Sequence, residues 1–320
     1  MLNLSFNKTI KYYRDIIESE LKKVYLNGPD NMVQTANFVM SAKGKRIRPL
    51  LTMLSCNSLG GDFNKSADIA VAIELLHNFT LVHDDIMDED SLRHNQPTVH
   101  NKWDIATAVL TGDSLLWLSL YLLKKVDKSR EEVIFHFIDA IKLVCEGQAY
   151  DKIFETQDFV PIKKYEKMIS MKTGYMIGLC SHLGAICAGA DVEEQNKMKA
   201  YGLAIGKAYQ IQDDYMEIYL DENTMRKSLK SDIELNKKTY MICLGLELDP
   251  VGLNSILDSG LDVSKKIESL KGYFEELEIK DRTISEINKS FRLAEDILSD
   301  IELKNNHLSE LNKYLINRRY

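Results

Sequence analysis

Two acidic pentads stand far apart in the chain, and each is embedded in apolar sequence. The first is Asp84-Asp85-Ile86-Met87-Asp88, preceded by Phe79-Thr80-Leu81-Val82. The second is Asp213-Asp214-Tyr215-Met216-Glu217, preceded by Ala208-Tyr209-Gln210-Ile211. On a helix, residues i and i+4 share a face, and i+1 lies about 100° further round. Asp84 and Asp88 therefore project together with Asp85 beside them, and Asp213, Asp214 and Glu217 do the same. Unpaired acids on half-buried helices carry a large desolvation cost. Two such pentads facing each other across a cavity would repel unless cations lay between them, so a bound cation fits them better than it fits a solvated acidic face. Hard dications prefer oxygen ligands and bind through a few carboxylates plus ligand phosphates.

The rest of the sequence reads as helix. Only five prolines occur: Pro29, Pro49, Pro97, Pro161 and Pro250. Between them apolar residues recur at three- and four-residue spacing, as in Ile69-Ala70-Ile73-Leu76-His77-Thr80-Leu81 and Leu115-Leu118-Leu122-Leu123. No hairpin dipeptide separates alternating strands. An all-α bundle is expected, with loops at Asn27-Gly28-Pro29, Gly60-Gly61-Asp62, His94-Asn95-Gln96-Pro97 and Asp158-Phe159-Val160-Pro161. Residues 1–320 are read as a single domain, with a motif core over about 40–240 and peripheral helices over 241–320.

Composition narrows the class. A net charge of −7 gives no basic footprint for nucleic acid. Five scattered cysteines without a CxxC suit reduced thiols and a cytoplasmic setting. The N-terminus turns charged too early for a signal-peptide core. No run reaches the roughly 18 uninterrupted apolar residues of a membrane span, so none is expected.

A metal-bridged diphosphate also needs cations. Gly44-Lys45-Arg46-Ile47-Arg48-Pro49 is a basic turn leading into an apolar helix; Arg93-His94 follows the first pentad. Lys172-Thr173-Gly174 lies among small residues that permit close helix approach. Lys227 and Lys237-Lys238-Thr239 follow the second pentad, with Asp232 between them. Lysine binds phosphate as a point charge, whereas arginine grips two oxygens. Each element has an ordinary reading: a solvated acidic face, a surface basic turn, a helix kink, a hydrogen-bonded core histidine at His77. Their conjunction in this order is far more specific.

In that order the blocks resemble the trans-isoprenyl diphosphate synthase family, and its archaeal-type geranylgeranyl diphosphate synthases in particular. They run from Gly44–Pro49 through Leu75–Asp88, Gln96–His100, Gly112–Leu115, Gly147-Gln148, Lys172–Gly174 and Gln210–Asp214 to Ser231-Asp232-Ile233 and Lys237–Thr239. The resemblance implies the isoprenoid synthase fold, a homodimeric bundle of long antiparallel helices around a deep cavity. It implies Mg²⁺ as cofactor, about three ions per site. The implied reaction condenses isopentenyl diphosphate with an allylic diphosphate to give a longer trans-prenyl diphosphate. Carried over by position, Asp84, Asp88 and Asp213 ligate metal, supported by Asp85, Asp214 and Glu217. Arg93, Lys172, Gln210 and Lys227 contact the allylic diphosphate, with Lys237 near it. Lys45, Arg48 and His77 hold isopentenyl diphosphate. Thr173 and Gln210 lie near the reacting carbons.

Three positions depart from that pattern. The expected Arg-Arg-Gly is Arg93-His94-Asn95, leaving His94 as a weaker, pH-dependent grip on isopentenyl diphosphate. The second pentad ends in Glu217, not Asp. Glycines expected near the last basic block are Arg226, Lys230 and Asn236. Product length is read from the residues before Asp84. Phe79, five residues back, lies about 7–8 Å along the axis. The resemblance to archaeal-type geranylgeranyl diphosphate synthases implies that chains grow toward it, that it forms a floor with Thr80 and then Leu76, and that the product has twenty carbons. A fifteen-carbon product is the alternative. A class I terpene cyclase fits less well, because Asp213-Asp214 and the second basic set are present. A non-catalytic subunit of a heteromeric synthase normally loses an acidic pentad, and both remain here.

Overall fold

The computed structural model describes residues 5–127, 129–220 and 231–318. The chain is helical almost throughout. The first half comprises α1 (Phe6–Leu21), α2 (Asp30–Met40), α3 (Ile47–Ser58), α4 (Ala67–Met87), α5 (Val99–Lys102), α6 (Ile105–Leu122) and α7 (Arg130–Glu155). The second comprises α8 (Ile162–Ile169), α9 (Tyr175–Ala188), α10 (Val192–Tyr219), α11 (Ser231–Glu234), α12 (Tyr240–Leu248), α13 (Pro250–Leu257), α14 (Val263–Glu276), α15 (Ile279–Ser299) and α16 (His307–Ile316). A π-helical turn, Ser170–Gly174, joins α8 to α9.

Local chemistry sets many of these ends. Asp104 caps α6 by accepting from the Thr107 N–H at 2.8 Å, and Asp191 caps α10 through Glu194. Thr239 and Asp262 do the same for α12 and α14. Gly189, at φ 77°, stops α9 in the left-handed region that glycine enters without strain.

Helices α4 and α9 are buried on nearly every side. From Ile69 to Leu76 on α4 no hydrophobic side chain is more than 1% exposed. Helix α4 packs on α6 and α3, α9 packs against α3 and α10, and α15 runs along α10. Phe291, Ala294 and Leu298 of α15 and Leu308, Leu311 and Leu315 of α16 belong to the main core. The helices after residue 240 are therefore not uniformly peripheral. A satellite core of Met241, Leu246, Leu253, Leu270 and Phe274 holds α12–α14 together.

Two features differ from the sequence reading. A two-residue hairpin pairs β1 (Leu92–Arg93) with β2 (Gln96–Pro97). His94 and Asn95 form its turn with φ of 52° and 61°, the pattern that fits the twist of paired strands. Second, the helical stretch Ile105–Lys125 is long and apolar enough, by length and composition, to cross a membrane; 44% of its most apolar window is buried in the fold.

Candidate active site

One cavity of about 620 Å³ opens between α4, α7, the π turn and α10. It collects both acidic pentads. Asp84 and Asp88 from the end of α4 line it, as do Asp213, Asp214 and Glu217 from the end of α10. So do Arg48, His77, Arg93, His94, Lys172, Thr173, Gln210 and Lys237. Phe79 and Thr80 line it too, with Leu81, Val144, Met168, Ile169 and Met176 adding apolar wall. Lys45, Leu76 and Asp85 are absent from the lining, and Lys227 falls outside the described residues, as do Arg226 and Lys230.

The backbone brings Lys172 and Thr173 here by an unusual turn. π-helical turns are costly and concentrate at functional sites. This one is packed tightly: a Cβ at Gly147 of α7 would collide with the Lys172 backbone N, and one at Gly206 of α10 would sit 2.5 Å from Gly174 Cα. Thr173 Oγ1 donates to Gln210 Oε1 at 2.7 Å, and Gln210 Nε2 donates to Asp214 Oδ1 at 3.0 Å. Asp214 Oδ2 accepts from the Tyr165 hydroxyl at 2.6 Å and from the Tyr240 N–H at 2.8 Å. Burial pushes the Asp214 carboxyl up to about 7 despite these three donors. Asp214 thus ties α10 to α8 and α12 and orients Gln210.

The acids divide by environment. Asp85 is 4% exposed and bound by the Arg93 guanidinium, which also holds Asp90 Oδ2 at 2.8 Å. Burial raises the Asp85 carboxyl to about 6 against the pull of Arg93. Asp84 is raised by burial first; Lys172 opposes this, while Asp88 pushes the same way. A cation shared by Asp84 and Asp88 would relieve both effects. Asp213 Oδ1 accepts from Arg318 at 2.7 Å, and that guanidinium lies 3.6 Å over the Tyr209 ring. Arg318 is packed into the fold: its side chain is 2% exposed. Among the described residues no three acid, histidine or cysteine side chains form a ready-made metal cage. The oxygen-only set Asp84, Asp88 and Asp213, presented to one space, fits a dication completed by a phosphate-bearing ligand.

Cations surround the acids. Asp151, which the sequence reading passed over, accepts from Lys172 at 2.6 Å and Lys237 at 3.1 Å. Burial pushes the Asp151 carboxyl up, but those two ammoniums outweigh it and hold it below the ordinary range. Its only sequence signal was its place one turn after Gln148 on the same helix. On the far side, Arg48 Nη1 lies 3.1 Å from His77 Nε2. Guanidinium only donates, so Nε2 accepts and the ring proton sits on Nδ1. Burial, then Arg48, push His77 well below the ordinary histidine range, so it is neutral and fixes Arg48. Asn236, where a glycine was expected, takes φ 54° and donates to Glu155 O at 2.7 Å. Asparagine enters that region more readily than most residues, which keeps the turn before Lys237.

The family model described as Polyprenyl synthetase matches residues 29–276. The chain is 37% identical over 253 residues to a short chain isoprenyl diphosphate synthase of Methanothermobacter thermautotrophicus, covering 77% of this chain and 78% of that one. It is 37% identical over 247 residues to a geranylgeranyl diphosphate synthase of Saccharolobus solfataricus, covering 75% and 73%. The crystal structure of a geranylgeranyl pyrophosphate synthetase from Pyrococcus horikoshii superposes with a TM-score of 0.91 at 29% identity, over 98% of each chain.

Proposed function

The chain belongs to the polyprenyl synthetase family, and on that premise we propose that it condenses isopentenyl diphosphate with an allylic diphosphate to make geranylgeranyl diphosphate. The observation that carries this reading is that acids of both pentads, Lys172 and Lys237, and Arg48 with its partner His77 line one cavity with an apolar wall. A prenyl transfer needs those three parts together: charge to bind two diphosphates, charge to receive a leaving group, and a dry channel for a growing chain.

Asp84, Asp88 and Asp213 would hold divalent metal, Mg²⁺ in the first instance. Bound there, it supplies neutralisation of the charge that grows on the leaving diphosphate as the allylic C–O bond breaks. Lys172 and Lys237 add donors to the same phosphates, and Asp151 keeps both ammoniums charged and aimed into the cavity. Arg48, aligned by neutral His77, and His94 hold isopentenyl diphosphate so that its double bond meets the allylic carbon. Thr173 and Gln210, locked by Asp214, direct oxygen dipoles toward the electron-poor carbons. Met168, Ile169, Met176 and Val144 keep water from that carbon. The isopentenyl double bond forms the new C–C bond to the allylic carbon, and the proton then lost from the isopentenyl unit passes to the released pyrophosphate as the new allylic double bond forms.

Phe79 supports the twenty-carbon assignment. It lines the cavity, is 7% exposed, and meets the His83 ring edge-on at 4.8 Å. His83 fits there because Gly112 of α6 leaves its place empty; a Cβ would collide with the imidazole.

We also place the enzyme as a homodimer. Leu110, Trp117 and Tyr121 on α6 and Phe135 and Ile138 on α7 are 43–65% exposed, an apolar face that a second copy would cover. The test of the activity is purified protein with Mg²⁺, labelled isopentenyl diphosphate and each of the dimethylallyl, geranyl and farnesyl diphosphates. A twenty-carbon prenyl alcohol after dephosphorylation is expected. Hydrocarbon products would point to a cyclase, and no product to a non-catalytic subunit.

A further inference from the structure

Lys152 follows Asp151 on α7 and has no part in the site as assigned so far. Its ammonium reaches the C-terminus of α4. Nζ lies 3.4 Å from Asp88 Oδ1, 2.8 Å from Glu155 Oε2 and 3.1 Å from Met87 O. Lys237 uses the same two acids, 3.0 Å from Asp88 Oδ1 and 2.8 Å from Glu155 Oε1, and reaches Asp151. Lys172 completes the set on Asp151. Lys152, Lys172 and Lys237 thus meet Asp88 and Asp151 in the cavity lining, and Glu155, outside the lining, backs Lys152 and Lys237.

These lysines are not held alike. The Lys237 side chain is 7% exposed and that of Lys172 24%, whereas that of Lys152 is 31% exposed. Lys152 also has the longest contact to an acid of the cavity lining. Asp88 Oδ1 is therefore shared by two ammoniums, one buried at 3.0 Å and one more exposed at 3.4 Å. A diphosphate entering here brings several anionic oxygens, each a better partner for a loose lysine than half of one carboxylate oxygen. Any dication taken by Asp88 competes with both lysines for that oxygen, and the looser one moves at least cost.

We propose that Lys152 is a further diphosphate-binding residue of this site, passing from Asp88 to a phosphate oxygen of the allylic substrate or of the pyrophosphate it releases. This rests on the synthase activity for its substrate, but not for its anion. The competing role is structural. Met87 O is among the last carbonyls of α4, and a cation there also caps a helix terminus.

The experiment compares wild type with Lys152→Met, Lys152→Gln and Lys152→Arg. Met keeps the aliphatic stem, Gln keeps a donor for Met87 O without charge, and Arg keeps the charge. Two readouts are taken: steady-state kinetics, and the rise in melting temperature caused by inorganic pyrophosphate with Mg²⁺. We expect Met and Gln to raise KM for the allylic diphosphate and the half-inhibitory pyrophosphate concentration about tenfold. Both should shrink the pyrophosphate-induced thermal shift, leave kcat and KM for isopentenyl diphosphate within about twofold, and be rescued by Arg. If Met or Gln lowers the melting temperature of the free protein while pyrophosphate binds and inhibits as in wild type, Lys152 is only a helix cap and the proposal falls. Wild type that binds pyrophosphate yet makes no prenyl product would overturn the synthase reading and leave the Lys152 assignment to be decided by the thermal shift alone.

Discussion

At the scale of single residues, distance in sequence decides what can be read. The basic turn Gly44–Pro49 was visible as cationic, but its three cations go different ways. Arg48 enters the cavity, whereas the Arg46 side chain, 3% exposed, bonds Glu74 at 2.7 Å and Glu18 at 2.8 Å. No local pattern identifies that trio, because its partners come from α1 and α4. Removing one member leaves a buried charge without its partner. Glu74→Ala should destabilise the fold by about 3–5 kcal/mol in urea unfolding; a change under about 1 kcal/mol would show that water reaches Arg46. His94 is a second case. Its position in the cavity lining was legible, but its turn was not, since His-Asn is not a strong hairpin signal. His94→Arg should lower KM for isopentenyl diphosphate, and an unchanged KM would remove His94 from that subsite. Arg318 pairs with Asp213 across 105 residues of sequence, so no local pattern shows that contact. Arg318→Gln should lower the Mg²⁺ concentration for half-maximal rate while reducing thermal stability; a higher Mg²⁺ requirement would mean that the arginine helps to build the metal site.

Among elements, periodicity made α4, α6 and the loops at Gly28, Gly60 and Pro161 legible. The π turn was not, because a single inserted residue barely disturbs the apolar spacing. Its tight seat against Gly147 makes a sharp test. Gly147→Ala should displace Lys172 and cut kcat at least a hundredfold, with normal rates ruling out a fixed turn. Packing of α9 on α7 carries a pH dependence. The His182 ring lies 4.4 Å from that of His136, and burial first, then His136, push it down to about 4. Below pH 6.5 the unfolded chain binds this proton and the folded chain does not. Stability is therefore complete above that pH and declines as pH falls toward 4, by about 2–3 kcal/mol at pH 4.5. His182→Leu should lose that part of the pH dependence in unfolding midpoints; an identical pH profile would show His182 protonating freely in the fold. Phe79→Ala should lengthen the product beyond twenty carbons by chromatography. An unchanged product would put the cavity floor on another helix.

For the whole molecule, the pentads were the strongest clue because buried acids cannot be left scattered. Their meeting depends on helices far apart in sequence, with α9 and α15 packed along α10 on one side and α3 and α6 packed on α4 on the other. That convergence was inferred from the cost of burying charge; the route to it was not. The exposed apolar face of α6 and α7 belongs to this scale as well, and sedimentation should give a dimer that Leu110→Glu with Trp117→Glu converts to a monomer. The central claim is that Asp84 and Asp213, from opposite halves of the chain, serve one divalent-ion cluster. It is tested most directly by turnover of labelled isopentenyl and farnesyl diphosphates across a Mg²⁺ titration in wild type, Asp84→Ala and Asp213→Ala. We expect rates that vanish with excess EDTA and fall at least a hundredfold in both variants. Wild-type turnover in EDTA, or in either variant at saturating Mg²⁺, would contradict it.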